Sequence, residues 1–84
     1  MAKLIKFEAS WCQPCRQLTK TMNSMDIKIP VEHVNIDDQT HLAVEYGVRS
    51  IPTMVLLDEH NTALRRIQGA QTKEQIQEFL GEYA

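Results

Sequence analysis

The sequence predicts one α/β domain spanning residues 1–84, in which a four-stranded mixed sheet is flanked by helices in the order βαβαββα. Three observations predict this fold. Short apolar and β-branched runs typical of strands alternate along the chain with segments whose apolar residues recur at helical spacing. A helix separates the first two strand patterns, which allows parallel pairing, whereas a short polar turn joins the last two and favours an antiparallel hairpin. A chain of 84 residues is also too short for two independent cores.

The first strand and the first helix meet at a pair of cysteines. Lys3–Glu8 predicts a strand because polar and apolar side chains alternate along it. The next helix is expected to begin near Pro14, since the N–H group that proline lacks would be unbonded in a first helical turn. Its apolar stripe places Cys15 toward the core, whereas Cys12 precedes the first turn and is expected to be exposed. The stripe consists of Cys15, Leu18, Met22 and Met25.

The middle of the chain predicts a strand, a short helix and a buried strand. Residues 31–37 (VEHVNID) are rich in β-branched side chains and predict the second strand. Residues 38–46 can form a short helix that ends at Gly47, a suitable residue after a helix C-terminus. The nearly continuous apolar run of Thr53–Leu57 is typical of a strand that is buried on both faces.

The last part of the chain predicts a hairpin strand and a helix. Ala63–Gln68 is expected to pair with the preceding strand across the polar turn of residues 58–62 (DEHNT). Thr72 is suited to cap the final helix at its N-terminus. The apolar face of that helix consists of Ile76, Phe79 and Leu80.

The charge balance argues against several classes of partner. The formal net charge is −2 and the pI is near 5.8, whereas a surface that binds nucleic acid is basic and clustered. The only adjacent cations, Arg65 and Arg66, are expected on a solvent-exposed strand face. No apolar run approaches the length of a membrane span. No export signal follows Met1, so we expect a cytoplasmic protein in a reducing compartment, where paired cysteines are more often catalytic or metal-binding than structural.

The Cys-x-x-Cys pair is the strongest chemical signal in the sequence. By itself this spacing also occurs in zinc sites, but zinc usually takes four ligands and the three histidines form no second ligand pair. A position between a strand and a helix of a βαβ unit favours a redox motif. The amide groups and the dipole at the start of the helix should lower the pKa of Cys12 below that of a free thiol. Cys12 would then attack a substrate disulfide, and Cys15 would resolve the mixed disulfide.

Residues 7–16 (FEASWCQPCR) resemble the active-site segment of the thioredoxin family, with Trp11 before the first cysteine and with Gln13 and Pro14 between the two cysteines. Residues 34–37 (VNID), 46–53 (YGVRSIPT) and 69–70 (GA) match further landmarks of the family in order. The resemblance covers nearly the whole chain. It implies a minimal thioredoxin fold and a protein disulfide reductase, or electron carrier, that acts on disulfide-containing client proteins.

The resemblance also implies the source of the electrons that reduce the Cys12–Cys15 disulfide. No bound cofactor is expected, because the redox-active disulfide is recharged from NADPH through a thioredoxin-reductase-type flavoprotein. A monomer is expected, with no nucleic acid or membrane partner.

By the same resemblance, the Ile51–Pro52 peptide bond is expected to be cis and to lie against the cysteines. A substrate groove is implied in which an extended client segment pairs with the backbone of Ile51. Gly69 suits such a groove, because a residue without a side chain allows close backbone approach. The implied groove consists of Trp11, Ser50, Ile51, Pro52, Gly69 and Ala70.

The sequence departs from the family pattern in three ways. Gln13 stands where glycine is the commonest residue of the family, and the residues between the cysteines influence the redox potential. The chain has no counterpart of the opening strand and helix of a full thioredoxin, and its length is similar to that of glutaredoxins. Lys6 aligns with the buried acid of the family, and His33 aligns with that acid's lysine neighbour.

Lys6 and His33 therefore carry a hypothesis of their own. Lying on matching faces of adjacent strands beneath Cys15, they could relay its proton or tune its pKa. The alternatives are that Lys6 extends to solvent, pairing with Glu8, and that His33 is a half-buried strand residue.

Two alternative functions stay open at this point. A glutaredoxin-like reductase recharged by glutathione would fit the short length. However, the Cys-Gln-Pro-Cys motif differs from the Cys-Pro-Tyr-Cys of glutaredoxins, and residues 69–72 (GAQT) lack the Gly-Gly…Asp element with which that family binds glutathione. The second alternative is a binding subunit that acts independently of its redox state.

Overall fold

The structure is a computed structural model that describes residues 1–84, and it confirms the predicted order of elements. The strands pair into one mixed sheet with helices packed on both faces. The strands are β1 (Lys3–Glu8), β2 (Val31–Asn35), β3 (Thr53–Leu57) and β4 (Ala63–Gln68). The helices are α1 (Gln13–Asn23), α2 (Thr40–Glu45) and α3 (Lys73–Leu80), and a 3₁₀ turn (Gly81–Tyr83) follows.

The order of strands across the sheet is β2-β1-β3-β4. β1 pairs with β2 in parallel and with β3 in antiparallel orientation, while β3 and β4 form the predicted hairpin. In this register Lys6 lies between His33 of β2 and Met54 of β3. The side chain of Asp58 closes the hairpin turn, because it accepts hydrogen bonds from two backbone N–H groups of the turn.

The bounds of three elements differ from the sequence-based expectation. α2 spans Thr40–Glu45 rather than residues 38–46. β2 ends at Asn35 rather than at Asp37, because the side chain of Asn35 accepts the N–H of Asp37 and its carbonyl accepts the N–H groups of the next two residues. These bonds turn the chain away from the sheet. α1 begins at Gln13, one residue before the predicted Pro14, with Cys12 as its N-cap.

The helix ends follow local sequence signals. Thr72 caps α3 with a reciprocal pair of hydrogen bonds to Gln75. Gly47 follows the end of α2 with φ of 64°, a left-handed conformation that glycine adopts without steric cost. None of the helices combines the length and the apolar character needed to cross a bilayer.

The alternation predicted for β1 divides the core between the two faces of the sheet. Leu4 packs in a cluster with buried residues of α1 and α3. Ile5 and Phe7 point the other way, into a second cluster that includes Ala43 of α2. Lys6 lies on the α1 side and is completely buried, which makes it the only charged residue of the chain in the buried class.

Candidate active site

The two cysteines lie at the start of α1 and form a disulfide, with their Cα atoms 5.2 Å apart. Cys12 is the N-cap residue, and the backbone N–H of Cys15 donates a hydrogen bond to its Sγ atom at 3.2 Å. The first N–H groups of a helix have no partner within the helix, and they favour negative charge. The sulfur of Cys12 therefore occupies a position at which a thiolate is stabilised.

The expectation that Cys12 is exposed is wrong. Cys12 is only 5% exposed and Cys15 only 3%. The sulfur of Cys12 is bonded to that of Cys15, and the pair packs with Ala9 in a small cluster against which Ile36 and Ile51 lie. The two cysteines thus share one buried pocket at the helix start, and the predicted contrast in exposure does not exist in the disulfide form.

Trp11, directly before Cys12 in the chain, is 64% exposed. Its indole N–H donates a hydrogen bond to Oδ2 of Asp37 at 2.9 Å, which fixes the ring relative to the end of β2. Trp11, Ile36 and Ile51 help to line a mostly apolar cavity of about 340 Å³. An exposed aromatic ring beside an apolar cavity is a kind of surface to which ligands bind.

The loop before β3 completes the surroundings of the disulfide. The Ile51–Pro52 peptide bond is cis. The carbonyl of Pro52 accepts the N–H of Gly69 at 2.8 Å, which joins this loop to the end of β4. The backbone N–H and carbonyl of Ile51 take part in none of the hydrogen bonds of the fold. Ile51 packs against the cysteine cluster, and Ser50 and Ile51 border the same cavity as Trp11. Pro52 joins this loop to Gly69, which Ala70 follows in the chain.

Lys6 and His33 meet at Glu8. The ammonium of Lys6 lies 3.0 Å from Oε1 of Glu8, and Nδ1 of His33 lies 3.3 Å from the same oxygen. Lys6 also donates a hydrogen bond to the hydroxyl of Thr19 in α1. The alternative in which Lys6 extends to solvent is wrong, whereas its pairing with Glu8 is confirmed. The side chain of His33 is 55% exposed, more than the half-buried alternative implied.

The pKa of Glu8 lies below its usual value of 4.5. Burial raises this pKa, but the hydrogen bonds from Lys6 and His33 and the charges of these two residues outweigh the effect of burial. Glu8 is therefore ionised at neutral pH and provides the counter-charge of the buried ammonium.

The lowered pKa of Glu8 predicts how stability depends on pH. Since the folded-state pKa lies below the unfolded-state value of 4.5, the stabilisation is complete above that value and is lost as pH falls through the folded-state pKa. We expect the free energy of unfolding of Glu8→Gln, from urea denaturation between about pH 6 and pH 3, to decline less steeply than that of the wild type. Glu45→Gln, at an exposed position of α2, is the control and should follow the wild type. Equal slopes for Glu8→Gln and the wild type would contradict the prediction.

Sequence reasoning missed three contributors to this region. The contact of Asp37 was missed, although its place in the VNID segment was a signal that it lies near the motif. Thr19 was missed because a threonine in a helix gives no sign of its partner. Ile36 falls within the predicted second strand, yet it lies beyond the end of β2 and packs against the cysteine cluster. No group of three or more His, Cys, Asp or Glu side chains is arranged to hold a metal ion.

Comparisons with known proteins agree with the geometry. A family model described as Thioredoxin matches residues 1–82. The chain is 33% identical over 84 residues to the thioredoxin of Chlamydia caviae, covering 96% of this chain and 81% of that protein. It is 32% identical over 84 residues to the thioredoxin of Porphyra purpurea, covering 95% of this chain and 78% of that protein. The structure of a mutant thioredoxin from Halobacterium salinarum superimposes with a TM-score of 0.87 at 27% identity, covering 98% of this chain and 74% of that chain.

Proposed function

This chain belongs to the thioredoxin family, and we propose that it reduces disulfides of cytoplasmic client proteins with electrons that a thioredoxin-reductase-type flavoprotein takes from NADPH. It is a thiol–disulfide oxidoreductase of the protein-disulfide-reductase type, and its redox-active disulfide takes the place of a bound cofactor. The observation that carries the proposal is the hydrogen bond from the N–H of Cys15 to the sulfur of Cys12 at the start of α1.

We assign Cys12 the role of nucleophile and Cys15 that of resolving thiol. The thiolate of Cys12 attacks one sulfur of a client disulfide, so that a mixed disulfide forms and the first client thiolate leaves. The thiolate of Cys15 then attacks the sulfur of Cys12, the bond to the client breaks, and the second client thiolate leaves. Two electrons pass to the client, and the chain is left with the Cys12–Cys15 disulfide.

The client segment is proposed to lie across the loop before β3. The backbone N–H and carbonyl of Ile51 have no partner within the fold, and so they are free to pair with an extended segment as a sheet edge does. Trp11 would contact one side of that segment, and Gly69 with Ala70 would border the other. Gln13 and Pro14 lie between the two cysteines as the first residues of α1, and they hold both sulfurs at the start of that helix.

The proposal also includes a cytoplasmic location and a monomeric state. A dithiol reductant works where thiols are kept reduced by a supply of electrons, which is the condition of the cytoplasm. The exposed large apolar side chains are Met1, Trp11, Val44 and Leu64, which come from four different segments of the chain. Apolar residues that are scattered singly over a surface call for no partner subunit.

Insulin reduction with two electron supplies tests the proposed route. We expect turnover with NADPH and thioredoxin reductase, and turnover at least about tenfold slower with glutathione, NADPH and glutathione reductase. The measurements are NADPH consumption and precipitation of the free insulin B chain. Controls without the chain give the background rate of each reductant. Faster turnover with glutathione would contradict the proposed route and favour the glutaredoxin-like alternative.

A further inference from the structure

The core contains one charged residue, a completely buried lysine. The disulfide exchange described above gives this lysine no role. Lysine side chains are almost never fully buried unless they are paired, because a charge loses its hydration in the protein interior. Lys6 is completely buried and has two partners, the carboxylate of Glu8 at 3.0 Å and the hydroxyl of Thr19. A charge held at such a cost in desolvation calls for a reason beyond packing.

Two contacts place the ammonium of Lys6 near Cys15. Thr19 follows Cys15 by four residues in α1, so the two side chains lie on the same face of the helix, one turn apart. The ammonium group that bonds Thr19 is therefore about one helical turn, roughly 5–6 Å of helix, along α1 from Cys15. From the strand side, Ala9 directly follows Glu8 and packs against both cysteines.

Glu8 is the only carboxylate that pairs with the ammonium of Lys6. Glu8 contacts it directly, and His33 shares the same carboxylate oxygen. Asp26, in the loop after α1, lines a small cavity together with Lys6 and Thr19, but it pairs with Lys28 at 2.9 Å. The neighbouring residue of β3 is Met54, and the buried residues of α3 carry no charge. The positive charge thus faces α1, and its counter-ion lies on the strand.

We propose that the ammonium of Lys6 stabilises the thiolate of Cys15 in the step that resolves the mixed disulfide, and that Glu8 positions this ammonium beneath α1. The inference rests on the proposed function. In this step the thiol of Cys15 loses its proton to solvent, and its thiolate forms the bond to the sulfur of Cys12. The bond between Cys12 and the client sulfur breaks, and the client leaves with that electron pair as a thiolate. A cation near Cys15 favours the deprotonated form that attacks.

The geometry assigns this role to Lys6 and not to His33. The side chain of His33 is 55% exposed, and it pairs with the carboxylate of Glu8 rather than with a residue of α1. Solvent screens a charge at that position. His33 and Lys6 together lower the pKa of Glu8, so the carboxylate stays ionised and is unsuited to accept the proton of Cys15 near neutral pH.

The test isolates Cys15 in a form that mimics the mixed disulfide. The reduced protein is alkylated at Cys12 with iodoacetamide, so that Cys15 is the only remaining thiol, and the ultraviolet absorbance of its thiolate is followed against pH. The same titration of Cys15→Ser gives the baseline. We expect Lys6→Met to raise the titration midpoint by about one unit, the low end of the effect of a neighbouring charge. At a pH below the midpoint this corresponds to about tenfold less thiolate.

A matched control separates the effect of the Lys6 charge on Cys15 from the effect of removing one positive charge elsewhere in the chain. Lys3→Met makes the same substitution on the same strand, at a residue that pairs with Glu32 at the surface. We expect Lys3→Met to leave the midpoint unchanged. A folded Lys6→Met variant with the wild-type midpoint would overturn the proposal, as would equal shifts in the two variants.

A second variant is expected to shift the titration midpoint of Cys15 in the opposite direction. This second test does not require Lys6→Met to fold. Glu8→Gln removes the counter-ion and keeps an oxygen beside the ammonium, so we expect it to lower the midpoint of Cys15. A raised or unchanged midpoint would overturn the proposal. Failure of the proposed function is a separate result, because it would appear as a wild-type chain that does not reduce insulin, whatever the midpoint of Cys15.

Discussion

Replacing Cys12 by serine is expected to lower the rate of insulin reduction at least about a thousandfold, as the loss of a nucleophile does in other enzymes that form covalent intermediates. Serine can neither ionise near neutral pH nor form a disulfide, so the first step has no substitute at this position. The sulfur of Cys12 lies at the N-cap of α1 and accepts the N–H of Cys15, and Cys15 is the only other cysteine of the chain. The measurement is the steady-state rate with NADPH and thioredoxin reductase, alongside circular dichroism to show that the variant is folded.

Cys15→Ser is the matched control for this prediction. It keeps the nucleophile and removes the resolving thiol, so the mixed disulfide with a client should accumulate and be visible on a non-reducing gel. Cys12→Ser should trap nothing. Retention of more than about a tenth of the activity by Cys12→Ser would contradict the assignment. A client complex that survives in the double variant Cys12→Ser/Cys15→Ser would favour the redox-independent binding subunit.

Leu56→Ala is expected to lower the free energy of unfolding by about 2–5 kcal/mol, the range for truncation of a fully buried leucine. Leu56 is completely buried in the central strand β3, in the cluster that joins the sheet to α1 and α3. A chain of 84 residues has a total stability of about 4–13 kcal/mol. The substitution therefore removes a large fraction of that stability, and urea denaturation of the oxidised protein measures the loss.

Leu64→Ala controls for the change of leucine to alanine itself. Leu64 lies in the neighbouring strand β4 and is 45% exposed. Truncation of a side chain at an exposed position is expected to change the free energy of unfolding by less than about 1 kcal/mol. Similar losses for Leu56→Ala and Leu64→Ala would contradict the placement of the core between β3 and the helices.

Much of the fold could be predicted from the sequence because local signals and burial agree along most of the chain. β1 and β3 occur with the predicted limits, since their apolar patterns match the faces that the helices cover. β4 is mostly exposed, and its limits were predictable because a short polar turn joins it to β3. The cap of α3 at Thr72 was predictable for the same reason, because its partner lies only three residues away. The end of β2 was not, because the bonds that turn the chain there involve the side chain of Asn35.

The parts of the site that could be predicted are those formed by residues close together in the sequence. Motif spacing predicted that Cys12, Cys15 and Trp11 come together. The burial of Cys12 depends on Ile51, which is distant in sequence, and on the bond to Cys15, so exposure could not be inferred from a position before a helix. The register of β1 with β2 confirms the prediction that Lys6 and His33 are neighbours. The sequence did not indicate that both would converge on one oxygen of Glu8.

The central claim is that the Cys12–Cys15 dithiol itself passes two electrons to a client disulfide. Its most direct measurement is a single-turnover reaction in which the reduced chain, freed of all other reductant, is mixed with insulin and both proteins are analysed by mass spectrometry. We expect one insulin disulfide to open for each chain, and the chain to lose two hydrogen atoms as a bond forms between Cys12 and Cys15. Insulin that stays oxidised beside a fully reduced chain would contradict the claim.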